Sequence, residues 1–396
     1  MSRIRRAARA IAVAAALAAP VAVVAIGSRV VAAPGGPPEF SIKVTTANVV
    51  RGYFPRNAPP VLTVPDGAIV HIDTLSHSGL SNPDPVTFMG NLGIPANLVL
   101  PEATDIFFNE PRITGSSVHI LTGPIYIEGA EPGDTLEIRI LDVKPRTTWG
   151  LNSQSSGGAL PGYLSASTVK LYRVKGNTTD FNDEIEIPLK PFQGIMGVAS
   201  ADDYVSPLPE SVAAGIVSSR PPAIWGGNMD TNDLGKGTSL YLPVFQTGGQ
   251  FFTGDPHFVQ GNGEVSGNAL EGSNTVSVQF VVHKDGNLTA PRAETPTHFI
   301  TMGIDVDHDE AMRKALREAL DFLVDEKGLT KVDAMSFASL AVDFNIAESV
   351  DFTQLVMGRI PKRFFLDDYN AKPRFWHHKE VKVGSEQQRQ GLEAAK

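Results

Sequence analysis

The stretch FTGDPHFVQGNGEVSG, residues 252–267, sets Asp255, His257 and Glu264 among Gly254, Gly261, Gly263 and Gly267. Gly254 permits backbone conformations that other residues resist, and Pro256 fixes φ between the acid and the imidazole. A carboxylate and an imidazole on one rigid turn suit two chemistries. They are a common ligand pair for a borderline cation such as Zn²⁺. They are also a common base and orienting partner. The same residues could instead cap a turn and fill core. Glu264 follows a Gly261–Asn262–Gly263 bend, in which positive φ lets a substrate approach the backbone. It could take a proton from water, or be a solvated hairpin carboxylate.

Two further runs add candidates. WGGNMD (225–230) is a second Gly-Gly bend carrying Trp225, Asn228 and Asp230. HIDTLSH (71–77) carries His71, Asp73 and His77 at odd positions, which share one face if the strand continues. That pattern fits either a gathered site or a hydrated sheet face. Glu131 and Asp134, around Pro132-Gly133, read as turn chemistry.

The elements that must position these groups are mostly strands. SIKVTTANVV, AIVHID, HILTGPIYIEG, DTLEIRILDV, TSLYLPVF and TVSVQFVVH are rich in Val, Ile, Thr and Tyr. Gly, Pro, Asn and Asp punctuate them. Short strands with turn chemistry between them predict a mainly β chain with a β-sandwich or barrel core. After residue 305 the period changes. Met312, Ala315, Leu316, Ala319, Leu320 and Leu323 mark a helical face, bracketed by Asp309, Glu310 and Gly328. A second helix is expected over 330–344, with Thr330 as N-cap and Asp333 three residues on. QLVMGRIPKRFF (354–365) reads as a returning strand.

The chain of 396 residues has 43 acidic and 34 basic residues and no cysteine. Thiol catalysis and disulfides are excluded, so the fold must be held by its core. Residues 1–33 have the layout of a signal peptide: Arg3, Arg5, Arg6 and Arg9, then an apolar run, then small residues. Cleavage would remove five arginines, counting Arg29, and leave a formal charge of −14. The mature protein is expected to be periplasmic or secreted, without a stable membrane span. Its acidity makes nucleic acid a poor partner. Residues 34–366 are read as one domain and 367–396 as a polar tail.

Taken together, the runs TGPIYIEGAEPGDTLEIRILDV (122–143), PFQGIMGVA (191–199), GGNMD (226–230), SLYLPVF (239–245) and GDPHFVQGNGEVSG (254–267) resemble the acetamidase/formamidase family. The resemblance spans roughly residues 40–366. It implies a β-sandwich, jelly-roll-like core with added α/β elements and C-terminal helices. It also implies homo-oligomers and a metal-assisted hydrolase of small linear amides such as formamide or acetamide. By motif position Asp230, Asp255, His257 and Glu264 carry over: Asp230 and Glu264 are expected to be catalytic, and Asp255 and His257, with Asp230 or the His71, Asp73 and His77 cluster, to hold a divalent ion, Zn or Ca. Trp225, Asn228, Gly261 and Gly263 are the candidate substrate-binding positions. This chain has Trp225 where the family often has His, and His77 where it often has an acid. A Pro-rich segment at 81–118 is expected to form a lid or pocket wall. The alternatives are a binding protein of the same fold without catalysis, and an amidohydrolase for a larger amide.

Overall fold

The computed structural model describes residues 28–30, 36–81, 83–154, 156–204 and 216–366. The leader expected over 1–33 lies outside the described residues except for Ser28–Val30, an edge strand beside Glu39–Ile42. The tail 367–396 also lies outside them.

Two large sheets carry the described chain. At the centre of the ten-stranded sheet, Asn274–His283 pairs with Ile69–Asp73 on one side and Thr135–Pro145 on the other. Thr238–Pro243, Arg292–Glu294, His298–Asp305, Thr353–Pro361 and Asp343–Asp351 continue it. In the eleven-stranded sheet Phe251–Val259 is central, flanked by Phe192–Gly197, Leu270–Glu271 and Ile120–Ile127. Alternation explains the packing of the first sheet: Val276, Val278 and Phe280 turn inward while Ser277 and Gln279 stay partly exposed. They meet Leu121, Ile125, Ile195, Met196, Phe251 and Phe252 of the second sheet in one core. Burying each such side chain contributes roughly 1.5–3 kcal/mol, and this chain has no disulfide to help.

Phe251–Val259 is buried along almost its whole length, so both of its faces are covered. One covering layer comes from segment 81–118. It folds as two short helices, α1 (Pro85–Asn91) and α2 (Pro101–Asn109), each with Pro at its start. Asp84 caps α1 by accepting from the Val86 and Thr87 amides. Met89, Ala103 and Ile106 pack on Ile120, Trp149 and Leu151.

The two C-terminal helices form as expected, with small shifts. α3 (His308–Asp325) buries Ala311, Ala315, Ala319, Phe322 and Leu323. Met312, Leu316 and Leu320 of the expected face are only partly buried. α4 (Lys331–Ala341) is capped by Thr330, which accepts from the Asp333 amide at 3.1 Å. It ends before residue 344 because Asp343 already opens a strand paired with Thr353–Pro361. No described helix is long and apolar enough to cross a membrane.

Candidate active site

Strand Phe251–Val259 brings the acid and imidazole of the glycine-rich run to one side. Asp255 Oδ2 lies 3.1 Å from His257 Nε2. Two glycines make this possible. A Cβ at Gly254 would sit 2.2 Å from the Ile120 carbonyl oxygen. On the neighbouring strand, a Cβ at Gly194 would sit 2.3 Å from Asp230 Oδ1, 2.7 Å from Asp255 Oδ2 and 2.8 Å from His257 Cε1. Gly194 is thus the space in which these groups meet. Asp230, Asp255 and Glu264 all adopt positive φ, at 43°, 51° and 45°. Such conformations cost non-glycine residues of order 1–3 kcal/mol each and cluster at functional sites.

Around Asp255 the groups converge. His77 Nδ1 is 3.2 Å from Asp255 Oδ1 and 3.9 Å from Glu271 Oε2. His257 Nε2 is also 3.2 Å from Glu271 Oε1, and its Nδ1 is 3.7 Å from Asp230 Oδ1. These distances come without hydrogen-bond alignment. Both His257 nitrogens, both Asp230 oxygens, His77 Nδ1, Asp255 Oδ1 and Glu271 Oε2 are buried with no aligned partner. Buried polar atoms normally find one. Donor atoms gathered closely without aligned partners are what a cation site requires. Three sets of donor atoms each fall within 4.8 Å: His77–His119–Asp255, Asp230–His257–Glu264 and Asp255–His257–Glu271. The donor chemistry fits a divalent cation.

His77, His119, Asp255, Glu264 and Glu271 all line one cavity of about 440 Å³. His119 Nδ1 is 2.9 Å from Ser219 Oγ, which orients the ring. Burial pushes His119 down to about 4, so it stays neutral. Burial also acts on His77 and His257, but the carboxylates of Asp255 and Glu271 outweigh it and raise both. Asp255 is held well below the usual carboxylate range: His257 and His119 overcome its burial. Glu264 is pushed well up, by burial first and then by Asp351. Asp230 is pushed up by burial and by Glu264.

The expected residues divide clearly. Asp255, His257, His77, Asp230 and Glu264 come together. Asn228 lines the cavity and donates to Asp351 Oδ2 at 2.7 Å. Asp73 does not join them. Its strand ends at Asp73, so the alternation does not carry on to His77. Asp73 instead accepts from Thr275 Oγ1 at 2.7 Å and pairs with Lys43 at 3.0 Å, while His71 bonds Ser277. Trp225 is core rather than cavity wall: it is fully buried, 4.6 Å from the Phe54 ring. Gly261 and Gly263 do not line the cavity either. The Gly263 amide donates to Ala347 at 2.8 Å, and the bend serves to present Glu264. Glu131 and Asp134 are turn residues as read, with Asp134 accepting from the Glu131 amide at 2.8 Å.

His119, Glu271 and Gly194 were not legible as site residues. Gly194 is a lone residue inside a strand, Glu271 ends a two-residue strand and His119 stands just before Ile120–Ile127, and only pairing brings them in: Leu121 faces Gly254, and Glu271 faces His257. The Pro-rich segment does supply wall: Arg112, Gly115, Ser116, Ser117 and Val118 line the cavity.

The acetamidase/formamidase family model matches residues 108–210 and 205–366. The chain belongs to this family. A formamidase of Methylophilus methylotrophus is 28% identical over 276 residues, covering 52% of this chain and 67% of that protein. An acetamidase of Mycolicibacterium smegmatis is 25% identical over 279 residues, covering 52% and 69%. The solved acetamidase of Bacillus halodurans is similar at a TM-score of 0.66 and 26% identity, over 82% of this chain and 99% of that one. The protein is therefore an amidase, a hydrolase of carbon–nitrogen bonds other than peptide bonds.

Proposed function

We propose that the chain hydrolyses small linear amides, R–CO–NH₂ plus water giving a carboxylate and ammonia, with Glu264 as general base beside a divalent cation. The observation that carries the reading is the convergence of His77, His119, Asp255 and Glu264 on one cavity. His77, His119 and Asp255 would hold the cation. Two imidazoles and one carboxylate suit Zn²⁺ better than Ca²⁺, which takes oxygen ligands. When bound, the cation polarises a carbonyl and acidifies water.

The chain's own groups do the rest. An amide resists water because resonance weakens the carbonyl as an electrophile and NH₂⁻ cannot leave. Nitrogen must be protonated before the C–N bond breaks. Glu264, raised by burial and by Asp351, holds a proton more tightly than an exposed carboxylate. A carboxylate so tuned takes the proton from the attacking water and delivers it to nitrogen. Asp230 lies between His257, 3.7 Å from its Nδ1, and Glu264, whose carboxylate helps to set the proton affinity of Asp230. Glu271 and Asp255 flank the other His257 nitrogen at 3.2 and 3.1 Å. Export through the N-terminal leader and homo-oligomer formation are further parts of this proposal, supported by the leader's sequence and by the family.

Ammonia release from formamide, acetamide and propionamide by the purified protein tests it. Turnover of at least one short amide is expected. Binding without turnover would favour a non-catalytic amide-binding protein.

A further inference from the structure

The catalytic cavity adjoins a second one. His77, Arg112 and Val118 line both. The second measures about 560 Å³, against about 440 Å³ for the first. Pockets of roughly 300–1,000 Å³ hold drug-sized molecules, so a short amide would leave most of this space unfilled.

The second cavity has a distinct character. Its apolar wall includes Leu80, Phe88, Phe107 and Val169. Its charged side chains are Arg51 and Arg112, and among the described residues no Asp or Glu lines it. Arg51 donates from Nη1 to the Glu110 carbonyl at 2.9 Å and from Nη2 to the Leu80 carbonyl at 3.2 Å. Its Nε is buried and lacks an acceptor. Arg112 is exposed and makes no hydrogen bond or ion pair with a described residue. The Glu110 carboxylate acts on Arg51, but Arg112 has no carboxylate of its own among the described residues and stands beside Arg51, so an anion at the mouth of the cavity would gain a charge-assisted partner there. A neutral acyl chain would fill the apolar wall but leave Arg112 without a partner. Phe88, Phe107 and Arg112 all come from the segment that follows His77, so one stretch of chain builds this wall.

We infer that the substrate is an amide whose acyl chain carries a carboxylate beyond an apolar spacer, with the carboxylate on Arg112 and Arg51 and the amide at Glu264. This rests on the amidase reading of the same site. The reaction is unchanged: the C–N bond breaks, a C–O bond to water forms, the departing nitrogen takes one water proton to leave as ammonia, and the second is released as the new carboxylic acid ionises.

The test compares adipamate, the monoamide of a six-carbon diacid, with hexanamide. Wild type is expected to give adipamate at least a tenfold higher kcat/KM. Arg112→Gln should lower the adipamate-to-hexanamide ratio about tenfold, chiefly through KM, and Arg112→Lys should restore part of it. A ratio at or below one in wild type, or one unchanged in Arg112→Gln, would overturn the inference. If a short amide releases ammonia but neither of these does, the inference is overturned and the amidase reading stands; if no amide does, the amidase reading at this site fails and calorimetry with adipate decides the rest. Adipate binding that weakens in Arg112→Gln would keep the carboxylate site, and no binding to wild type would end it.

Discussion

At the residue scale, the strongest statement concerns Glu264. It reaches the cavity on a strained backbone, among groups that raise its pKa. General acid–base catalysis typically contributes about 10²–10⁴-fold, so Glu264→Gln should lower kcat by that order with the fold intact. Turnover equal to wild type would remove Glu264 from the chemistry. A second residue, Asp134, is structural. It accepts from the Glu131 and Asp285 amides and pairs with Lys284, which hold its pKa down against its burial. Because folding lowers this pKa, the unfolded chain binds the proton more tightly. The stabilisation is complete above the unfolded value of about 3.9 and fades as pH falls through it. The gap in urea midpoint between wild type and Asp134→Asn should therefore shrink from pH 7 to pH 3; a constant gap would contradict the assignment. What the sequence disclosed at this scale followed glycine. Asp230, Asp255, His257 and Glu264 stand beside bends that announce themselves. His119 stands just before a strand and Glu271 ends one, and no bend of that kind precedes either of them.

At the element scale, the period-2 runs and the helical switch after residue 305 were legible because each buries one face. Asn274–His283 alternates as far as Phe280, and α3 carries a stripe of alanines. α1 and α2 were missed, since helices of seven and nine residues flanked by prolines have too few turns to establish a period. The supposed single face from 71 to 77 failed for a related reason: the strand stops at Asp73, and a loop held by Ser273 and Asn274 redirects the chain to His77. The seating of α3 gives a prediction. A Cβ at Gly303 would lie 2.0 Å from the Ala311 carbonyl oxygen and 2.2 Å from the Ala315 amide nitrogen. Both are helix backbone and cannot swing away. Gly303→Ala should cost about 1–3 kcal/mol by urea unfolding, or more if the helix lifts. No loss would mean that α3 does not rest on that strand.

At the scale of the whole molecule, two sheets share one apolar core, while one central strand of the second sheet carries the acid and imidazole. Rigid strands, not mobile loops, position Asp255 and His257, which suits a site that must hold a small polar group closely. The central claim is that the buried, unaligned donors around Asp255 exist to hold a divalent cation needed for amide hydrolysis. The most direct measurement is ammonia release by the purified protein before chelation, after chelation, and after readdition of Zn²⁺, with metal content determined in each sample. The account predicts bound cation in the active sample, loss of turnover with loss of the cation, and recovery of both together. Full ammonia release by protein stripped of metal would contradict it.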